Sequence, residues 1–121
     1  MADATILVVD DSPTDVRLLS NTLQGGGYRI ITASDGDEAL NKAKRERPGL
    51  ILLDVLLPKK NGFQVCRDLK TSAETRDIPV ILISSKRQDI DKVWGIKQGA
   101  DEYITKPWND DELLTAIARH L

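Results

Sequence analysis

The sequence contains little of the residue types that cross-link small proteins or bind transition metals. Among its 121 residues there is one cysteine, Cys66, and one histidine, His120. A lone cysteine cannot form an internal disulfide, and one histidine with one cysteine cannot complete a structural zinc site. Such cysteine usage is typical of a reducing compartment. We therefore predict a cytoplasmic protein whose fold depends on its apolar core alone.

An excess of one charge and long hydrophobic runs are also missing. Lysine and arginine total 17, aspartate and glutamate total 19, and the formal net charge is −2. This balance offers no basic surface for nucleic acid. No apolar run approaches the roughly 20 residues of a bilayer span, and the short acidic segment Met1–Thr5 is unlike a signal peptide. We expect no nucleic-acid partner, no membrane insertion and, from the length, one domain.

Three short apolar runs are the strongest local signals in the chain. They are Ile6–Val9, Leu50–Leu53 and Val80–Ile83. None alternates apolar with polar residues, which is how strands buried on both faces read, so a parallel sheet covered by helices is predicted. Two weaker strands, at Tyr28–Ala33 and Glu102–Thr105, contain more polar residues, as strands at a sheet edge can.

Helical periodicity follows each of the five predicted strands. The helices are expected after Ser12-Pro13, around Ala39–Ala43, after Asn61-Gly62, from Ile90 to Lys97 and through Leu113–Leu121. Strand and helix then alternate five times, which indicates a three-layer, doubly wound α/β fold with right-handed crossovers. In such a sheet the functional site lies at the carboxyl ends of the strands.

Polar side chains come directly after four of these strands. The first apolar run is followed by Asp10 and Asp11, and the second by Asp54. Ser84 follows the third run, and Lys106 follows the last strand. Any one of these residues could merely cap the next helix, but capping is a poor explanation for the whole set.

The chemistry of this set points to phosphoryl transfer. Three carboxylates brought close together repel each other unless a cation joins them, and oxygen ligands of this kind suit Mg²⁺. An ammonium cannot coordinate a metal, so Lys106 makes sense as a contact to an anion beside the ion. A phosphoryl group fits, held by Mg²⁺ and lysine while a carboxylate attacks phosphorus. The residues therefore suggest an aspartyl phosphate.

Several short motifs lie along essentially the whole chain. They are Val8-Val9-Asp10-Asp11-Ser12, Asp54-Val55-Leu56-Leu57-Pro58 with Asn61-Gly62, Ser84, Gly99-Ala100-Asp101 and Lys106-Pro107. In these motifs the chain resembles the receiver domain of two-component response regulators, of the single-domain chemotaxis type. The stretch Asp91-Lys92-Val93-Trp94-Gly95, with Gln98-Gly99-Ala100, resembles the receivers of twitching-motility (type IV pilus) chemosensory systems.

The resemblance implies a (βα)5 flavodoxin-like fold with a five-stranded parallel sheet in the order 2-1-3-4-5. It also implies that Asp54 accepts a phosphoryl group from a sensor histidine kinase. Asp10 and Asp11 would hold Mg²⁺ with Asp54, and the backbone carbonyl of Leu56 would be a further ligand. Receivers often carry a polar residue at the position of Leu56. Its apolar side chain either slows hydrolysis, because it cannot orient water, or has no effect.

The resemblance assigns the remaining site residues to phosphoryl contact and switching. Lys106 would contact the phosphoryl group, and its bond to Pro107 is expected to be cis. Ser84 takes the switch position, where a hydroxyl moves towards a phosphoryl oxygen. Tyr103 matches the aromatic residue that turns inward when this happens.

The same resemblance places the output surface on the fourth helix, fifth strand and fifth helix, where a downstream target protein would bind. Trp94 and Trp108 are candidate partner residues there, although core packing alone could explain either ring. We expect residues 1–121 to form a single receiver domain with no output domain. Such a protein acts in trans as a monomer and is not an enzyme beyond its own phosphoryl chemistry.

Three other functions are alternatives for a chain of this kind. A flavin mononucleotide carrier is disfavoured because Asp10 and Asp11 would repel a phosphate at the first turn. Phosphatases that use an aspartyl phosphate carry their nucleophile after the first strand, in an Asp-X-Asp arrangement that is missing here. A receiver-like docking protein that is never phosphorylated stays open as the alternative.

Overall fold

Strands and helices alternate along the whole described chain. The computed structural model of the protein describes residues 4–121, so residues 1–3 of the acidic N-terminal segment lie outside the described part. The strands are β1 (Thr5–Val9), β2 (Arg29–Ala33), β3 (Leu50–Asp54), β4 (Val80–Ser84) and β5 (Glu102–Thr105). The helices are α1 (Pro13–Gly25), α2 (Gly36–Glu46), α3 (Gly62–Thr71), α4 (Asp89–Lys97) and α5 (Asp110–His120).

The five strands form one parallel sheet in the order β2-β1-β3-β4-β5. This confirms the predicted fold and strand order. The two strands that contain more polar residues, β2 and β5, lie at the edges, as their composition predicted. Strand β2 begins at Arg29, one residue later than predicted.

Helices cover both faces of the sheet, and each face buries its own apolar cluster. Alternate residues of a strand point to opposite faces. Thus Leu7 of β1 packs in the cluster with α2 and α3, and Val8 packs in the cluster with α1 and α5. Cys66 of α3 is fully buried in the first cluster, and burial raises the pKa of its thiol to about 12.

Side-chain caps fix where four of the helices begin, among them α1, α3 and α5. Ser12 Oγ accepts a hydrogen bond from the backbone of Asp15 at 3.3 Å, and Asn61 and Asn109 cap α3 and α5 in the same way at 3.0 Å. These caps satisfy backbone groups that the first turn leaves without a partner. They also hold the loops after β1, β3 and β5 at one edge of the sheet. In residues 4–121, no helix has the length and apolar character needed to cross a membrane.

Candidate functional site

The carboxyl ends of β1 and β3 bring three carboxylates together. Asp10 follows β1, Asp54 ends β3, and these two strands are neighbours in the sheet. One carboxylate oxygen each from Asp10, Asp11 and Asp54 lie within 4.8 Å of one another. Asp10 and Asp54 are buried, whereas Asp11 is exposed. The three acidic residues that the sequence singled out therefore face one pocket.

Backbone hydrogen bonds orient the two buried carboxylates. Asp10 Oδ1 accepts from the backbone N–H of Ser12 at 3.0 Å, and Asp54 Oδ1 accepts from that of Leu56 at 3.2 Å. In both residues the other oxygen, Oδ2, faces the ammonium of Lys106. The turns after β1 and β3 therefore fix the direction of each carboxylate.

Lys106 reaches the pocket from the end of β5. Its Nζ lies 2.9 Å from Asp10 Oδ2, 2.8 Å from Asp15 Oδ2 and 3.5 Å from Asp54 Oδ2. Its backbone N–H donates to the Ser84 carbonyl at 2.8 Å, and its bond to Pro107 is cis. Lys106 thus lies at the edge of the sheet at which its position after β5 predicts it.

Asp15 is a member of this ion-pair group that the sequence analysis missed. It lies in the first turn of α1, where an acidic residue is ordinarily explained by the helix dipole. The signal that could have found it was its position four residues after Asp11, in the first turn of the helix that follows β1. Which cation it pairs with was not visible in the sequence.

The pKa values of the two central groups of the pocket, Asp54 and Lys106, are both raised, but for different reasons. Burial raises the pKa of Asp54 from 3.8 to about 6, and the negative charge of Asp10 adds to this rise, while the Lys106 ammonium opposes it. Burial by itself lowers the pKa of Lys106. The hydrogen bonds that the ammonium donates to Asp15 and Asp10, together with the charge of Asp54, nevertheless hold that pKa above its usual value. The lysine therefore stays charged at neutral pH.

The loop between β3 and α3 returns so closely to β3 that only glycine fits at its end. A Cβ on Gly62 would lie 2.2 Å from the Asp54 carbonyl oxygen and 2.7 Å from the Val55 Cα. The Gly62 N–H donates to the Val55 carbonyl at 2.8 Å. This contact fixes the backbone that carries Asp54. In the same loop, Leu56 is 49% exposed.

Ser84 and Tyr103 both contact the backbone of Lys86. Ser84 is fully buried at the end of β4, and its Oγ accepts from the Lys86 N–H at 3.2 Å. The Tyr103 hydroxyl donates to the Lys86 carbonyl at 2.7 Å. The Tyr103 ring packs against α4, since a Cβ on Gly95 would lie 3.0 Å from it. The two predicted switch residues are thus joined through one residue of the β4–α4 loop.

The two tryptophans lie in different surroundings. Trp94 on α4 is 51% exposed, and Ile90 and Val93 beside it are also exposed. Trp108 is partly buried against the cluster under α1 and α5, and its Nε1 donates to Asp110 at 3.1 Å and to Thr22 of α1 at 3.4 Å. The structure therefore places Trp108 beside α1, partly packed against the core, which is one of the two settings that the sequence left open for this ring. The hydrogen-bond acceptors of the Trp108 N–H are thus side chains of α1 and α5.

The fold and the acidic pocket together indicate a signalling domain of the receiver class. The chain matches the family described as "Response regulator receiver domain" over residues 6–118, and it belongs to that family. The resemblance predicted from the sequence motifs is therefore confirmed.

Individual relatives resemble the chain over nearly its full length. It is 44% identical to "Protein PilH" of Pseudomonas aeruginosa over 114 residues, which cover 94% of each chain. The chemotaxis response regulator CheY4 of Vibrio cholerae superimposes with a TM-score of 0.91 at 34% identity, covering 99% of this chain and 100% of that one. The receiver domain of the sensor histidine kinase PA1611 from Pseudomonas aeruginosa superimposes with a TM-score of 0.90 at 28% identity, covering 98% of each chain. That structure holds a magnesium ion coordinated in its active-site cleft.

Proposed function

We propose that this protein is a response regulator that a sensor histidine kinase phosphorylates on Asp54 in the presence of Mg²⁺. The phosphorylated form then signals by binding a target protein. The observation that carries this proposal is the meeting of Asp10, Asp11 and Asp54 within 4.8 Å, with the Lys106 ammonium beside them. No other cluster of three or more such ligands occurs in the described residues 4–121.

The donor set fits Mg²⁺. All three ligands are carboxylates, and hard oxygen ligands in small number are what this ion accepts. Asp10, Asp11 and Asp54 would hold it, with the Leu56 carbonyl as a further ligand. When bound, the ion would neutralise negative charge and polarise phosphoryl oxygens. The magnesium ion in the cleft of the PA1611 receiver supports this assignment.

The residues of the chain have separate tasks in the transfer. A carboxylate oxygen of Asp54 forms a bond to phosphorus while the bond from phosphorus to the donor histidine nitrogen breaks. The electron pair of that bond goes to the leaving nitrogen. The Leu56 N–H, 3.2 Å from Asp54 Oδ1, orients the carboxylate. The charge of Lys106 attracts the phosphoryl oxygens.

The structural effect of phosphorylation would be transmitted to the output surface through the backbone of Lys86. A new phosphoryl oxygen attracts the Ser84 hydroxyl, and the Lys86 N–H then loses its acceptor. Because Tyr103 holds the carbonyl of the same residue, its ring position changes with the loop. We describe this as a population shift between two arrangements. The surface of α4, β5 and α5, with exposed Trp94, is the proposed target site.

The wider role follows from the same assignment. The protein would bind its target as a monomer without catalysing reactions on other substrates, and a cytoplasmic location stays a prediction. The similarity to "Protein PilH" and the Asp91–Gly95 segment support a role in chemosensory control of motility. The alternative is a docking protein that is never phosphorylated.

Intact-mass measurement after incubation with a small phosphodonor tests the proposal. We expect wild type to gain the mass of one phosphoryl group with Mg²⁺ and none after chelation. The Asp54→Ala variant should gain none, whereas a variant of an exposed surface acid, Asp77→Ala, should behave as wild type. A phosphoryl group on Asp54→Ala would contradict the assignment, and no uptake by wild type would favour the docking alternative.

A second prediction concerns how long the phosphoryl group persists. Leu56 lies two residues after Asp54 and is 49% exposed, and its apolar side chain cannot orient an attacking water. In Leu56→Asn the side-chain amide can orient an attacking water. Because one hydrogen bond is worth about 1 kcal/mol, we expect the lifetime of the phosphorylated protein to fall about fivefold. The measurement is loss of phosphoryl mass with time. The Ile96→Asn variant alters a comparably exposed residue on α4 and should leave the lifetime unchanged, and an unchanged lifetime in Leu56→Asn would refute the idea.

A further inference from the structure

Lys106 is shared among three carboxylates, and the sharing is unequal. Its Nζ donates hydrogen bonds to Asp15 at 2.8 Å and to Asp10 at 2.9 Å. The distance to Asp54 Oδ2 is 3.5 Å, which is longer than a good charge-assisted hydrogen bond. The ammonium is therefore held by two residues other than the proposed phosphoacceptor.

Asp15 differs from Asp10 in one respect that matters for phosphorylation. Asp10 belongs to the carboxylate group that would hold Mg²⁺, and a bound ion would weaken its attraction for Lys106. Asp15 lies outside that group, on α1, so its attraction for Lys106 persists when the ion is bound. After metal binding, Asp15 is then the main competitor of a phosphoryl group for the ammonium.

The geometry of Asp15 suits a holding role. Its backbone N–H is tied to the N-cap Ser12, which fixes the first turn of α1. The pair is only partly open to solvent, since the Lys106 side chain is 14% exposed and that of Asp15 33%. Solvent and salt therefore screen the attraction between Asp15 and Lys106 less than they screen a fully exposed surface pair.

We propose that Asp15 is a positioning residue that keeps the Lys106 ammonium on the α1 side of the pocket and so restrains phosphorylation of Asp54. This inference rests on the proposed function. Phosphorylation then requires the ammonium to move from Asp15 towards the new phosphoryl oxygens. Removing the Asp15 charge removes this restraint.

The test uses beryllium fluoride with Mg²⁺ as a phosphoryl analogue and a small phosphodonor for the rate. For Asp15→Asn we expect about fivefold tighter analogue binding and about fivefold faster phosphorylation, the range of a partly exposed ion pair. Asp15→Glu keeps the charge and should return both values towards wild type. Asp110→Asn removes a charge from the same groove, where Asp110 bonds Thr22 and Trp108 instead of Lys106, and should change neither.

Two further measurements separate positioning from a general effect of charge. In a Lys106→Met background, Asp15→Asn should have no additional effect, because the residue acts through the lysine. In protein with labelled lysine side chains, the Lys106 signal, identified by its loss in Lys106→Met, should shift in Asp15→Asn and stay in place in Asp110→Asn. This second measurement requires neither metal nor phosphoryl group.

The outcomes distinguish this inference from the proposed function. If wild type binds no analogue and takes up no phosphoryl group, the proposed function fails and the restraint fails with it. If wild type does both and Asp15→Asn matches it or is slower, the inference alone is overturned. Equal effects of Asp15→Asn and Asp110→Asn, or an unmoved Lys106 signal, would also overturn it.

Discussion

Replacing Gly62 with alanine is expected to lower the free energy of unfolding by about 3 kcal/mol. Helix propensity alone predicts the opposite, since Gly62 is the first residue of α3 and alanine in a helix is favoured over glycine by about 1 kcal/mol. The steric effect outweighs propensity because the new Cβ would lie 2.2 Å from the Asp54 carbonyl oxygen, a rigid backbone atom. Chemical denaturation measures the change.

Gly25 provides the matched control for this substitution. It is also helical, at the end of α1, but it is exposed, and an added Cβ would have no neighbour within 4 Å. Gly25→Ala should leave stability unchanged or raise it by up to about 1 kcal/mol. Because the clash in Gly62→Ala displaces the backbone of Asp54, that variant should also take up less phosphoryl group. Equal stability of the two variants would contradict the steric explanation.

The fold was predictable because burial on both faces leaves a clear mark on a strand. The runs within β1, β3 and β4 are uniformly apolar, and these are the central strands of the sheet. Parallel strands also end at one edge, so the order of the strands was enough to bring Asp10, Asp11 and Asp54 together. The approach of the three carboxylates therefore follows from topology.

Contacts that depend on side-chain reach could not be predicted. The Lys106–Asp15 pair joins residues 91 positions apart, and it forms only because a long flexible side chain extends across the edge of the sheet. The hydrogen bonds of the Trp108 N–H likewise depend on side-chain reach, since its partners Thr22 and Asp110 come from two different helices. The backbone approach at Gly62 is likewise a property of loop geometry.

The acidic pocket lowers stability at neutral pH, and neutralising Asp54 should recover that loss. Burial and the neighbouring Asp10 raise the pKa of Asp54 from 3.8 to about 6 despite Lys106. The native state thus keeps a proton on Asp54 up to about pH 6, while the unfolded chain loses it near pH 3.8. Because the native state binds more protons between these values, the free energy of unfolding falls as pH rises through this window.

The Asn variant should therefore be more stable than wild type by an amount that depends on pH. A pKa difference between 3.8 and about 6 corresponds to about 3 kcal/mol. Asparagine is neutral at every pH, and its side-chain oxygen can still accept the hydrogen bond from the Leu56 N–H. Lys106 retains its hydrogen bonds to Asp10 and Asp15. We expect Asp54→Asn to match wild type below pH 3.8 and to exceed it by about 3 kcal/mol at neutral pH.

Denaturation in chelator across this pH range measures the difference between Asp54→Asn and wild type. Asp77→Asn, a change of an exposed acid, should stay within about 0.5 kcal/mol of wild type throughout. Adding Mg²⁺ should reduce the stability difference between Asp54→Asn and wild type at neutral pH, because an ion that binds the native carboxylates stabilises wild type by mass action. If the stability difference did not depend on pH, or if Asp54→Asn were less stable than wild type at neutral pH, the charged Asp54 carboxylate would not destabilise the native state. Conversely, a gap that grows with pH and closes with Mg²⁺ would link the instability of the pocket directly to its affinity for a cation.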